Sequence, residues 1–331
     1  MLSVLVRCRL HCLIGLMLLS ACVSSWSQES VSSYPNRPIK MVVPYPPTGL
    51  TDVLGRLIAE RLGAALKQPV LIENKPGAGT LLGAEQVARS APDGYTLLMA
   101  TSTTLGISPA MYSKPHVDPV RDFSAVAWFG SVNFFLITNL GFPPKNLREW
   151  LEHVKRNPGK FNYATSGSGS PHHLFMELLK RDAGLDIQHV PYKGTLNALP
   201  DVMSGKVEMM FCDASAALPQ IRAGKVHAIA TSAAKPTVLV SDVPPVASAV
   251  PGFDWMAWQG VVVPAGTSPV IVNRINAAMQ SFLSNAEFRE QLIKYGMEPP
   301  PPHTPEQFAE MIRKDAPRWA AVVKASGARV E

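Results

Sequence analysis

One stretch, Met41 to Asp52, constrains this chain more than any other; it reads M-V-V-P-Y-P-P-T-G-L-T-D. The apolar run Ile39–Val43 predicts a strand, which enters a turn of Pro44, Tyr45, Pro46, Pro47, Thr48 and Gly49. Leu50, Val53, Leu54, Leu57, Ile58, Ala65 and Leu66 then recur at helical spacing, so a helix opens straight after the turn, with Thr48 or Thr51 as its N-cap. Such an opening leaves main-chain N–H groups without intrahelical acceptors and with partial positive charge. The stretch reads either as half of a small-anion site or as an ordinary βα connection.

The same pattern returns. A strand over 69–73 leads into Asn74-Lys75-Pro76-Gly77-Ala78-Gly79-Thr80 and a helix over 81–89. A third strand, 95–99, ends in Thr101-Ser102-Thr103-Thr104. Strands alternating with helices predict a parallel sheet with ligands off its carboxyl ends, where these three Gly, Thr and Ser loops lie. A second αβ set follows, with strands over 124–129, 134–139, 161–165, 187–192, 207–211 and 226–231. Asn146 and Glu149 predict a capping box. Ser166-Gly167-Ser168-Gly169-Ser170-Pro171 opens a helix over 172–182, with Ser170 as N-cap and Pro171 at the first helical position. After a strand at 259–263 the last ~70 residues read as entirely helical, in three helices starting at Ser268, near Ala286 and at Thr304, the last with Gln307 completing a capping box.

At 331 residues, 47% hydrophobic and 17% charged, the chain is globular and long enough for two lobes, whose cleft is the default ligand site. Its 31 basic and 25 acidic residues are interspersed, which argues against nucleic acid and is compatible with small anions. Arg7, Arg9 and His11 precede an apolar run of ten, Cys12 to Ala21, the size of a secretory core and too short for a bilayer. Leu19-Ser20-Ala21-Cys22 resembles a bacterial lipobox with Cys22 as the acylated residue; cleavage after Ser27 is the rival, and either predicts export. Cys8 and Cys12 fall in the signal, so Cys212 stands alone in the body as a small buried hydrophobe, with no internal disulfide.

Catalytic readings are poorly supported by the residues. Ser166, Ser168 and Ser170 lack a G-x-S-x-G elbow, although His173 is near Ser168 in sequence. His173 and Glu177 share a helix face, but no third metal ligand stands at motif spacing and H-E-x-x-H is absent. Gly77-Ala78-Gly79 lacks a dinucleotide fingerprint's third glycine. Asp52, Asp201 and Asp213 are single acids, and Trp255, Trp258 and Trp319 read as packing residues. No enzyme activity, metal or cofactor is expected. What remains is capture of a small anion by N–H and O–H donors from two lobes.

Many short motifs in order make this more specific. After Tyr34-Pro35-Asn36-Arg37-Pro38-Ile39 and the opening stretch come E-N-K-P-G-A-G (73–79), P-D-G-Y-T-L (92–97) and R-D-F (121–123). Then follow N-P-G-K (157–160), Y-A-T-S-G-S-G-S-P-H-H-L (163–174), H-V-P-Y-K-G (189–194), P-Q-I-R-A-G-K (219–225) and P-A-G-T-S-P (264–269). Together they resemble the Bug family, extracytoplasmic solute receptors of tripartite tricarboxylate transporters. The resemblance implies an α/β, type II periplasmic-binding-protein-like fold: two αβ lobes around a ligand cleft, with a doubly crossed hinge. It divides the chain into lobe 1, 34–133 plus 258–331, and lobe 2, 134–257. It implies a monomeric periplasmic receptor for a di- or tricarboxylate, an acidic amino acid or an aromatic acid, delivered to membrane permease subunits. The implied ligand residues are Tyr45, Pro47, Thr48, Gly49 and Asp52; Ala78, Gly79 and Thr80; Thr101, Ser102 and Thr103; Ser166, Gly167, Ser168, Gly169, Ser170 and His173; and Asp213.

Two departures stand in those loops. Thr48 and Thr80 occupy positions where the family has glycine, and a β-branched residue resists positive φ. The first turn is therefore expected to tighten differently. A ligand-sensing input to a signalling system, and an exported hydrolase using Ser168 and His173, remain as rival functions.

Overall fold

The computed structural model describes residues 33–113 and 117–328. Cys22 and both candidate cleavage points lie outside them. The body of the protein starts at Arg37.

The first half of the chain winds β1 (Ile39–Val43), α1 (Leu50–Leu66), β2 (Val70–Asn74), α2 (Leu81–Ala88) and β3 (Thr96–Thr101). Helical crossovers join these strands, so β1 pairs in parallel with both β2 and β3. Next come a π-helical turn, Thr103–Ile107, and the short α3 (Ser108–Met111). β4 (Phe123–Val132) then passes through the single residue Asn133 into β5 (Phe134–Thr138). With that step the chain leaves one sheet for another. The new sheet collects β6 (Asn162–Thr165), β7 (Gln188–Pro191), β8 (Met209–Asp213) and β9 (His227–Thr231), in the order β7-β6-β8-β5-β9. Between them run α4 (Leu147–Lys155), α5 (Pro171–Ala183), α6 (Thr195–Met203) and α7 (Ala214–Arg222). β10 (Ala257–Pro264) carries the chain back to the first sheet; α8 (Pro269–Leu283), α9 (Ala286–Lys294), β11 (Met297–Glu298) and α10 (Pro305–Ser326) follow. The first sheet is ordered β11-β4-β10-β3-β1-β2. Two αβ halves and two chain crossings agree with the type II periplasmic-binding-protein-like fold that the resemblance implies.

Each half has its own apolar core. Val42, Leu98, Ala100, Val262 and Phe308 fill one; Phe135, Ile137, Leu199, Val202 and Met210 fill the other, together with the buried free Cys212.

Four expectations are corrected here. The sheets are mixed: β10 runs antiparallel to β3 and β4, and β5 antiparallel to β8 and β9. The reason is that β4, β5 and β10 are joined by inter-sheet crossings, not by helices packed on one sheet. The C-terminal region is not wholly helical, because Met297 and Glu298 pair with Val132 and Ser131. The N-cap of α1 is Gly49, with no side-chain cap; the cap work falls to Asp52, which reaches back to the Thr48 N–H. At α4, Asn146 accepts from the Glu149 N–H, but Glu149 returns to the Lys145 N–H, one residue further out than a capping box requires. The Thr304–Gln307 box closes in both directions.

Candidate ligand-binding site

The first loop, after β1, is fixed from below. Asp52, whose side chain is 3% exposed, accepts the Thr48 N–H at 2.9 Å and the Asn74 amide at 2.7 Å. Arg56 adds two further bonds, at 3.0 and 3.1 Å. Burial alone would raise the Asp52 pKa, but the hydrogen bonds from Arg56, Asn74 and Thr48 outweigh it and hold the carboxylate below its ordinary range. Asn74 also donates to the Tyr45 carbonyl, tying the end of β2 to this loop. Tyr45 meets Thr101 Oγ1 at 2.9 Å, and burial raises its phenol pKa. Pro46, Pro47, Thr48 and Gly49 stay exposed. The first helical bond is Val53 N–H to Gly49 C=O, so the amides of Leu50, Thr51 and Asp52 precede the ladder and lack intrahelical acceptors.

Thr48 adopts the positive φ that its side chain resists. Thr48 takes φ 70°, while Gly49 sits at an extended φ of −73° that any residue adopts. The second loop goes further: Gly77, Ala78, Gly79 and Thr80 take φ of 133°, 47°, 59° and 84° in succession. This is a left-handed turn, closed by Thr80 N–H to Gly77 C=O at 2.9 Å. Of four non-glycine residues at positive φ among the described residues, three stand in these two loops. Side chains resist that region by about 1–2 kcal/mol each, and such strain concentrates at binding sites.

The third loop carries Thr101, which bonds Thr104 through Oγ1 and through the Thr104 N–H. The π-helical turn follows at once; no sequence pattern predicted it, and such turns gather at functional sites. Two hydroxyls here are buried without a partner, Thr80 Oγ1 and Ser102 Oγ, at residues 7% and 1% exposed. Thr103 is half-buried.

The fourth loop leaves β6. Gly167 and Gly169 take φ 132° and 74°. Ser170 caps α5 by accepting the His173 N–H and donates to the Gly167 carbonyl at 2.7 Å. Gly169 N–H donates to His173 Nδ1 at 3.2 Å. His173 is thus not paired with Ser168, which is exposed; it stacks on His189 at 4.2 Å. Burial lowers the His173 pKa, and burial together with His173 takes His189 down to about 4. Glu177 does not join His173 as a ligand pair: it accepts from Tyr163 OH at 2.5 Å and Lys180 Nζ at 2.6 Å. Among the described residues no cluster of three metal-ligating side chains exists.

The loops meet. A Cβ on Gly79 would lie 3.1 Å from Ser108 Oγ, and Ser108 donates to the Gly79 carbonyl. A Cβ on Gly169 would lie 2.3 Å from Met111 Cε and 2.4 Å from Met111 Sδ. Met111, at the end of α3, therefore covers the fourth loop's backbone from the opposite half. Cavities of about 250, 610 and 290 Å³ lie elsewhere on the body, and none is lined by a residue of the four loops.

Asp213, at the end of β8, caps α7 by accepting the Ala216 N–H at 3.2 Å, and also accepts from Ser215 Oγ. It faces His172 Nε2 at 3.4 Å and Thr195 Oγ1 at 3.3 Å. Burial raises its pKa, but His172, Ser215 and the Ala216 N–H prevail and lower it. His172 in turn touches Ser166 Oγ through Nδ1 at 2.9 Å. Sequence reasoning missed Asn74, Ser108, Met111 and Thr195 here; only Asn74 lay inside a quoted motif.

The family described as "Tripartite tricarboxylate transporter family receptor" matches residues 54–328. The chain belongs to this receptor family. It is 33% identical to Protein BugT of Bordetella pertussis over 98% of this chain and 99% of BugT. Among solved structures, Rpa4515 of R. palustris with adipate is 31% identical, with TM-score 0.78 over 89% of this chain and 98% of that one. MatC of Rhodopseudomonas palustris with bound malate is 35% identical, with TM-score 0.75 over 88% of this chain and 100% of that one. Family members of this type are solute-binding receptors, and no helix among the described residues is long and apolar enough to cross a membrane.

Proposed function

We propose that this receptor captures a small carboxylate between its two lobes in the periplasm and delivers it to the membrane permease of a tripartite transporter. The lobes divide at the crossings 133/134 and 257/258. In this reading the near loops offer N–H groups at the start of α1, the left-handed turn at Ala78–Thr80, and the hydroxyls of Thr101, Ser102 and Thr103. The far lobe offers the Ser166–Ser170 turn, and Asp52 holds the first loop in shape. The observation that carries the reading is the pair of orphaned buried hydroxyls, Thr80 Oγ1 and Ser102 Oγ, on loops joined through Ser108 and Met111 to Gly169. Buried hydroxyls without partners cost about 1–3 kcal/mol each, which a ligand carboxylate or its bound water would recover. Relatives that hold adipate and malate point to the same ligand class.

The test is calorimetry with a panel of malate, adipate, citrate, glutamate and benzoate. At least one acid is expected to bind, and Ser102→Ala to weaken it about 5–30-fold, the equivalent of one buried hydrogen bond. A folded protein that binds none of the panel would overturn the proposal.

A further inference from the structure

His172 and its neighbours form a connected chain that ligand capture as described does not use. Ser166 Oγ lies 2.9 Å from His172 Nδ1. The other ring nitrogen, Nε2, faces Thr195 Oγ1 at 3.1 Å and Asp213 Oδ2 at 3.4 Å. Thr195 Oγ1 is itself 3.3 Å from Asp213 Oδ2. The ring is nearly buried: the His172 side chain is 8% exposed and that of Asp213 14%. From β5, the Phe134 ring meets the imidazole edge-on at 5.0 Å. Asp213 is the charged group that the described contacts set against it, and His173 turns away to stack on His189.

The hydrogen-bond roles follow from this arrangement. An ionised Asp213 only accepts, and the assignment that satisfies it twice has Thr195 donating to it and Nε2 carrying a hydrogen. In neutral His172 the lone pair is then on Nδ1, and Ser166 must donate to it. The Ser166 hydroxyl thereby presents lone pairs to the cleft and repels a carboxylate. Protonating the imidazole reverses this. Nδ1–H then donates to Ser166 Oγ, and the Ser166 proton is free to point at a ligand. A carboxylate on Ser166 and an imidazolium at His172 therefore favour each other, with Asp213 balancing the charge inside a nearly dry site.

We propose that His172 is a positioning residue that sets the donor sense of Ser166, and that a carboxylate seated on the far-lobe loop is taken up together with a proton. This rests on the carboxylate reading of the site above. The linkage has a definite sign. Ligand binding raises the proton affinity of His172, so carboxylate affinity is greater at low pH and falls as pH rises. With one proton taken up per ligand the fall is about tenfold per pH unit.

The experiment is calorimetry with the malate, adipate, citrate, glutamate and benzoate panel at pH 7.5, in buffers of different ionisation enthalpy. Proton uptake on binding is expected, with affinity declining from pH 6 to pH 8. Long-range ¹⁵N–¹H spectra of the His172 ring are expected to change from an Nε2–H tautomer to a doubly protonated ring on saturation with the bound acid. His172→Asn places a permanent amide donor against Ser166 and is expected to abolish both the proton uptake and the pH slope. Binding without proton uptake, or a His172 ring that stays neutral on saturation, overturns this inference while leaving the carboxylate reading intact. Failure of the whole panel to bind between pH 5.5 and 8 overturns both. Should His172→Asn not fold, the wild-type ring spectra decide.

Discussion

At single positions, the departures from glycine matter most. Thr48 and Thr80 are held at φ 70° and 84°, a region that threonine resists. Thr48→Gly is therefore expected to stabilise the fold by about 0.5–1 kcal/mol, the relieved strain outweighing the entropy that glycine adds to the unfolded chain; urea denaturation would read it. Gly49 carries no such constraint, since a Cβ there would have only Pro46 O nearby, at 3.9 Å. Its replacement tests ligand approach and not backbone fit. Gly167 differs, because φ 132° excludes side chains, and Gly167→Val is expected to abolish binding by distorting the far-lobe turn. Asp52 is the position with a pH signature. Its carboxylate is held below the usual range by Arg56, Asn74 and Thr48, so its stabilisation is full above its unfolded pKa. That stabilisation is lost as pH falls through the lower folded value. Asp52→Asn is expected to cost about 1–3 kcal/mol near neutrality and to flatten the acid limb of a stability-versus-pH curve.

At the level of elements, the π-helical turn Thr103–Ile107 shows how the loop after β3 is braced by a distant helix. Gly106 in that turn lies under Trp319 of α10; a Cβ would come within 2.6 Å of Trp319 Cδ1 and 3.1 Å of Cγ. Trp319 is fully buried, and its indole N–H is held by Asp315, which also takes the Trp258 N–H at 2.7 Å. Burial raises the Asp315 pKa. The same Trp319 ring sits 5.7 Å from Phe175 of α5, the helix that opens from the fourth loop. Gly106→Ala would press on a ring that cannot turn aside, and is expected to cost about 1–3 kcal/mol, measured as a lowered thermal midpoint. The strand–turn–helix units around the loops were legible, because apolar period and cap residues act within a few positions. The π turn was not: the Trp319 ring that packs on its Gly106 lies more than 200 residues away.

Across the whole molecule, the halves are fastened where the chain crosses between sheets. Asn133, buried between β4 and β5, donates to Glu298 Oε1 at 2.6 Å and Thr237 Oγ1 at 2.9 Å, and Thr237 also donates to Glu298. Glu298 belongs to β11 in the first sheet, whereas Thr237 lies between β9 and β10. Glu298→Ala is expected to destabilise the protein by about 1–3 kcal/mol through the lost acceptor. Sequence by itself determined most strands and helices, the two αβ sets, the glycine and hydroxyl loops and the receptor resemblance, because each is written in short-range pattern or in motifs kept in order. Tertiary structure alone decided the mixed sheets, the tether from Asp52 to Asn74, the cover of Met111 over Gly169 and the chain from Ser166 through His172 to Asp213. Those depend on residues far apart in sequence being set against one another, and a hydrogen bond or a close approach between such residues leaves no periodic trace along the chain.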